Sequence, residues 1–264
     1  MLDFVNIMFW PLMACLLLAG IHVYLGIHVL ARQVIFVDLA LAQIAALGSV
    51  VGIVYHFNSK LSSFFFAATG ALCLALLKSQ NRFASTEAFI GIFYAVALSA
   101  TILASNHLPH GADELRELFS GNILWITPET LAQAAGLYAL VGLFHWIFRK
   151  KLLAASFEPG AHSWTWDFAF YMSFAVVVTS SVEIAGVLLV FSYLVIPAVI
   201  AALLARNITN RLWIGWGIGA FVSFIGAVVS YFCDLPSGPT IVLCFGATLL
   251  ATLGLKICLK KSMS

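Results

Sequence analysis

Nine runs of apolar residues follow one another along the chain with only short polar breaks between them. They cover about 5–31, 34–57, 61–77, 86–105, 129–148, 166–182, 184–205, 212–232 and 239–257. Most approach the roughly 20 residues that a helix needs to cross a 30 Å hydrocarbon core. No break is long enough to hold a soluble domain. The pattern therefore predicts an all-α, polytopic integral membrane protein of about nine transmembrane helices, with eight as the alternative, in one domain over 1–264. Charged residues make up 9% of the chain, against about 25% in an ordinary soluble domain. The five cysteines form no CxxC; three sit inside apolar runs and two directly at the ends of runs, so they read as buried thiols and not as a disulfide or zinc framework. The start of the chain carries Asp3 and lacks a basic segment and a small-residue cleavage site, which predicts a retained first span.

Basic residues set the expected orientation. With the N-terminus outside, the inner loops hold 11 of the 13 Lys and Arg, and the outer loops keep Lys60 and Arg116. That asymmetry is what the positive-inside rule demands, and it places the C-terminus in the cytoplasm. The longest polar segment, 105–127, falls outside. Its Leu115, Leu118 and Phe119 lie at helical spacing opposite Asp113, Glu114, Arg116 and Glu117, which predicts an amphipathic interfacial helix or re-entrant piece. Thr127-Pro128-Glu129 then starts the next span with a cap, a first-turn proline and an acid. A second outer turn, Cys233 to Pro239, is stiffened by Pro236 and Pro239. Gly48 with Gly52, and Gly215 with Gly219, predict close helix approach within the subunit.

The seventh run contains Pro197. A helix entering at Ile184 has covered only about 20 Å when it meets that proline, and an interior proline breaks or kinks a helix. The expectation is a short helix, a break, and a second helix starting near Pro197 and ending at Arg206 on the cytoplasmic surface.

The chain has no GxxxxGK[ST] loop, no HExxH, no GxSxG and no nucleotide-binding fingerprint. It is expected to be non-catalytic and to bind no cofactor; if it pumps, a partner or an ion gradient supplies the energy. Ionisable groups inside spans are costly and become candidates for function. Asp38 and Glu87 each lie about one turn inside the membrane from the cytoplasmic side, where they also stand near Arg32 and Arg82 and would neutralise them. Glu183 lies at the outer end of the seventh run. Asp234 caps the outer turn. His22 and His28 point about 120° apart on a straight helix, so both cannot hold one ion.

Several stretches taken together resemble the zinc, manganese and iron permeases of ABC importers, the ABC type 3 permeases. They are Ala40 to Gly48 (ALAQIAALG), Glu87 to Ile92 (EAFIGI), Leu118 to Thr127 (LFSGNILWIT), Gly186 to Arg206 (GVLLVFSYLVIPAVIAALLAR) and Asp234 to Gly238 (DLPSG) followed by Pro239 to Leu243. The resemblance covers essentially the whole chain. It implies the type II ABC importer permease fold, a homodimer in the bacterial inner membrane, and two cytoplasmic ATPase subunits that bind the ATP. It also implies an extracytoplasmic binding protein that delivers a divalent metal. It further implies that the segment beginning at Pro197, with Ala198, Ala201, Ala202 and Arg206, is the helix that docks into the ATPase.

The second span departs from the family pattern. Zinc and manganese members typically carry an Asp and a His four residues apart there, where this chain has Leu39 and Gln43. The nearest acid, Asp38, is five residues from Gln43, which turns the two side chains about 140° apart. Asp38, Gln43 and His28 are the candidate pathway residues, with Glu87 and Glu183 as further candidates. The runner-up functions are a secondary carrier or channel using its intramembrane acids, which would call for an inverted repeat, and an ABC permease for a non-metal substrate. A membrane-embedded enzyme built on His22 or His28 is disfavoured by their divergence.

Overall fold

The computed structural model describes residues 2–80, 85–108, 110–121, 123–158 and 163–262. Among them there is no strand. The helices are α1 (Leu2–Arg32), α2 (Val37–Val54), α3 (Ser59–Gln80), α4 (Thr86–Ser105), α5 (Gly111–Ser120), α6 (Pro128–Ile147), α7 (Arg149–Phe157), α8 (Trp164–Leu204), α9 (Ile208–Cys233) and α10 (Ser237–Ser262). Among the described residues eight are long and apolar enough to cross a membrane, all but α5 and α7. In an apolar solvent every backbone donor and acceptor must be satisfied within the segment, and the helix does this.

The expected nine runs become eight helices because the sixth and seventh runs share α8. At 41 residues it would be about 60 Å long if straight, twice the hydrocarbon thickness. It is interrupted at Gly186, with φ 75° and ψ 161°. The flanking pieces, 164–185 and 187–204, would each run roughly 27–33 Å. The break expected at Pro197 is therefore corrected: Pro197 lies inside helix, and the discontinuity falls eleven residues earlier. The physical reason is backbone freedom. Proline keeps a helical φ and costs one hydrogen bond, whereas the conformation at Gly186 is essentially open to glycine alone.

The chain divides into two compact units. One comprises Met1–Ile27, Asn122–Leu131 and Leu188–Ser264; the other comprises His28–Gly121 and Ala132–Val187. In the first, α9 packs on α1 through the glycine pair expected from sequence. A Cβ on Gly219 would stand 2.9 Å from Ala19 Cβ, and Trp216 Nε1 donates to the Gly20 carbonyl at 2.9 Å. Tyr193, fully buried, hydrogen-bonds Ser223 across the same unit. The outer turn forms as expected, with Asp234 in the left-handed conformation that closes α9.

In the second unit α2 lies against α3 through Gly48 and Gly52. A Cβ on Gly48 would meet Phe66 Cβ at 2.7 Å, and one on Gly52 would meet Ser59 Cα at 2.9 Å. The amphipathic outer segment is helical, as α5. In the first unit, Thr127 caps α6, its hydroxyl accepting from Thr130 N at 3.2 Å.

Candidate functional site

The second unit gathers polar side chains at two places. The first lies where α1 ends and α2, α4 and α8 begin. Arg32, its side chain fully buried, pairs with Asp167, and its Nε donates to Ser156 Oγ at 2.9 Å. His28 Nδ1 is 2.8 Å from the same hydroxyl, and His145 Nε2 is 2.8 Å from Ser173 Oγ. The Arg32 guanidinium lies over Phe170, 4.2 Å from the ring centre. Close by in sequence, Glu87 Oε1 accepts from Phe36 N at 3.2 Å. The cluster ties α1, α6, α7 and α8 together and leaves little for a passing ion to coordinate.

The second place lies where α2 ends and α3 begins, beside α5 and the middle of α8. Here a cavity of about 290 Å³ opens, lined in part by Ser49, Ser63, Ser105, Thr179 and Glu183. Glu183 stands at 3.8 Å from Lys60.

The structure treats the predicted residues unequally. His28 belongs to the buried cluster, where its Nδ1 lies 2.8 Å from Ser156 Oγ. Arg32 pairs with Asp167, so Asp38 is not its neutralising partner. The proposed neutralisation of Arg82 by Glu87 lies outside the described residues. Asp38 is 2% exposed and Gln43 fully buried. Among the described residues Asp38 Oδ1 and both terminal atoms of Gln43 have no hydrogen-bond partner. An orphaned buried amide costs about 1–3 kcal/mol, so its retention in α2 points to a use. Among the described residues no three His, Cys, Asp or Glu come together as a metal cage.

This yields a sharp expectation. Gln43→Leu removes two unsatisfied polar atoms with little change of volume. The variant is expected to raise the thermal midpoint of the purified permease and to lower uptake severalfold. A variant that is no more stable than wild type would show that the amide has partners after all.

The structure buries much of the segment expected to dock. Ala198 and Ala201 are fully buried, and Pro197 is helical. Gly26 fits so closely against Leu194 that its Cβ would overlap that carbonyl and lie 3.1 Å from Ala198 Cβ. Residues 197–201 therefore serve packing inside the first unit. Ala202 is half-buried, and exposure begins at Leu204 and includes Arg206. Arg211 Nε donates to the Ala205 carbonyl at 3.0 Å and Lys256 Nζ to the Leu203 carbonyl at 3.0 Å. These cations satisfy the carbonyls left open at the end of α8.

Sequence reasoning missed the Arg32–Asp167 pair. Its signal was present: an acid near the start of an apolar run and an arginine at the end of another. It also missed the Tyr138–Ser181 hydrogen bond at 2.6 Å, which no local pattern announces.

Comparison with known proteins adds four findings. The family model described as "ABC 3 transport family" matches residues 4–256. The chain is 26% identical over 252 residues to a "Probable metal transport system membrane protein" of Chlamydia pneumoniae, covering 90% of this chain and 83% of that protein. It is 27% identical over 248 residues to the "High-affinity zinc uptake system membrane protein ZnuB" of Haemophilus influenzae, covering 90% of this chain and 94% of that one. Among solved structures, "PsaBC from Streptococcus pneumoniae in complex with Fab" superposes with a TM-score of 0.77 at 19% identity, over 95% of this chain and 94% of that one.

Proposed function

The chain belongs to the ABC 3 transport family, and from that premise we propose that it is the membrane path by which an ATP-driven importer takes up a divalent metal ion: zinc, manganese or iron. It is a non-catalytic membrane permease, and ATP is hydrolysed on a separate subunit. Support for the metal comes from the zinc uptake role of ZnuB, which it resembles across its length. The observation that carries most weight within this chain is the fully buried, unpartnered Gln43 on α2, near Asp38. Such groups in a membrane helix mark a substrate path more readily than a packing site.

The proposed partners are a cytoplasmic ATPase, an extracytoplasmic binding protein and a second copy of the permease, in a single membrane domain of a bacterial inner membrane. The N-terminus lies outside and the C-terminus in the cytoplasm, on the charge asymmetry of the loops. With Ala198 and Ala201 buried, the ATPase contact is assigned to exposed basic residues of loops that the charge asymmetry assigns to the cytoplasm: Arg149 to Lys151 in the second unit and, separately, Arg206 in the first.

The test is co-purification and transport. The permease is expected to retain its ATPase through affinity purification, and Arg206→Glu to reduce ATP-driven uptake about tenfold while the chain still inserts, since charge reversal at a docking surface costs about 1–2 kcal/mol. Passage of the ion through the isolated chain without an ATPase would overturn the reading.

A further inference from the structure

The cavity beside Glu183 is walled mainly by apolar side chains of α2, with a polar minority of one chemical kind. Its polar lining consists of oxygens: the Glu183 carboxylate and the hydroxyls of Ser49, Ser63, Ser105 and Thr179. Among the described residues that line it, none brings a ring nitrogen or a sulfur. Carboxylate and hydroxyl oxygens suit hard divalent cations that retain water. Six waters at about 30 Å³ each fill roughly 180 Å³, so a volume of about 290 Å³ holds a cation with its hydration shell.

Two further observations point to a ligand. Hydroxyls in apolar helices normally turn back to the carbonyl four residues earlier, and here Thr101, Ser181 and Thr248 do so at 2.7–2.8 Å. Thr179 does not; its Oγ1 is buried without a hydrogen-bond partner among the described residues. The carboxylate one helical turn on, Glu183, is held loosely. Its contact with Lys60 is 3.8 Å long, and the two side chains are 47% and 80% exposed. An exposed pair of this kind contributes little, so a doubly charged ion readily displaces the ammonium into solvent.

We propose that this cavity is a cation-binding site on the outer side of the permease, in which Glu183 and Thr179 receive a partly hydrated divalent cation and Lys60 occupies the carboxylate until the cation arrives. The site is separate from Asp38 and Gln43, and it rests on the importer reading only for its direction of use.

The experiment titrates Mn²⁺ alone into the purified permease–ATPase complex and follows loss of the free aqua-ion signal by electron paramagnetic resonance. Wild type is expected to bind. Glu183→Gln should weaken binding about tenfold, because one of the few charged ligands is lost. Thr179→Val, nearly the same shape, should weaken it about threefold, and Lys60→Met should tighten it about twofold. Unchanged titration in Glu183→Gln, or no binding by wild type, overturns the proposal. If Glu183→Gln does not fold, Thr179→Val and Lys60→Met decide the matter, and wild-type titrations in both overturn it. Cellular uptake of labelled manganese, zinc and iron is measured in parallel. Absence of uptake by wild type, with the binding differences intact, would overturn the importer reading and leave the site standing.

Discussion

Alanine at position 186 is expected to lower the yield of folded permease severalfold and its thermal midpoint markedly. Gly186 holds φ 75° and ψ 161° and Gly121 holds φ 65°. The two backbones touch: a Cβ on Gly186 would overlap the backbone of Gly121, and a Cβ on Gly121 would overlap the Ala185 carbonyl group. A side chain in this dihedral region costs about 1–3 kcal/mol from strain alone. The overlap falls on backbone on both sides, so no rotamer change relieves it. The sum reaches at least about 3 kcal/mol against the 5–15 kcal/mol typical of a folded domain. Gly121→Ala should fail in the same way, and combining the two should not rescue either. Gly136→Ala and Gly142→Ala are the controls, because nothing lies within 4 Å of a Cβ at either position. On helix α6 they should be neutral or stabilising by up to about 1 kcal/mol. The measurement is monodisperse yield and thermal midpoint in detergent. A Gly186→Ala chain that melts with wild type would show that the contact does not hold the α8 break.

That contact also shows what the sequence could and could not tell. Membrane helices were legible because hydropathy alone reports them, and the start of α6 and the α9–α10 turn were legible because Thr127-Pro128 and Pro236 to Pro239 carry their own punctuation. The α8 break was not. Pro197 is the louder local signal, but a proline inside an apolar helix is tolerated where neighbouring groups compensate. The true break depends on Gly121, 65 residues away in sequence, and a single chain gives no sign of that partnership. A helix starting at Pro197 would have put Ala198 and Ala201 on a surface, whereas the continuous helix buries both.

The candidate site divides in the same way. Asp38, Gln43 and Glu183 could be named because polar groups in apolar runs stand out one at a time. What each one faces could not be named. Arg32 looked like the counterion of Asp38 because six residues separate them, yet the fold gives it Asp167, 135 residues on. Glu183 looked like a helix-end acid until α2, α3 and α5 enclosed a cavity beside it. Proximity along the chain is a poor guide to charge pairing when helices are long and cross the membrane several times.

The Arg32–Asp167 pair supplies the second large expected effect. Asp167→Ala leaves a guanidinium buried, with its side chain shielded completely from solvent. Removing one partner of a buried pair costs about 3–5 kcal/mol, most of it the penalty of the charge left behind. Arg32 also bonds Ser156 on α7 and covers the face of Phe170, so the loosened guanidinium should disturb α7 as well as the start of α8. The double variant Arg32→Met with Asp167→Leu removes both charges and keeps the volume. Its expected midpoint lies near wild type, because replacing a buried pair by apolar groups is often neutral or stabilising. With Asp167→Leu and Arg32→Met as its single variants, the cycle should therefore give a coupling of at least about 3 kcal/mol, since the singles are costly and the double is not. Lys150→Ala, at an exposed position of α7, sets the scale of a surface charge, within about 0.5 kcal/mol of wild type. If Asp167→Ala shifts the midpoint no further than that, then the end of α1 is held by the Ser156 and Phe170 contacts and not by the charge pair. If the double variant is as damaged as Asp167→Ala, the pair specifies the local arrangement of α1 and α8 in a way that apolar packing cannot replace.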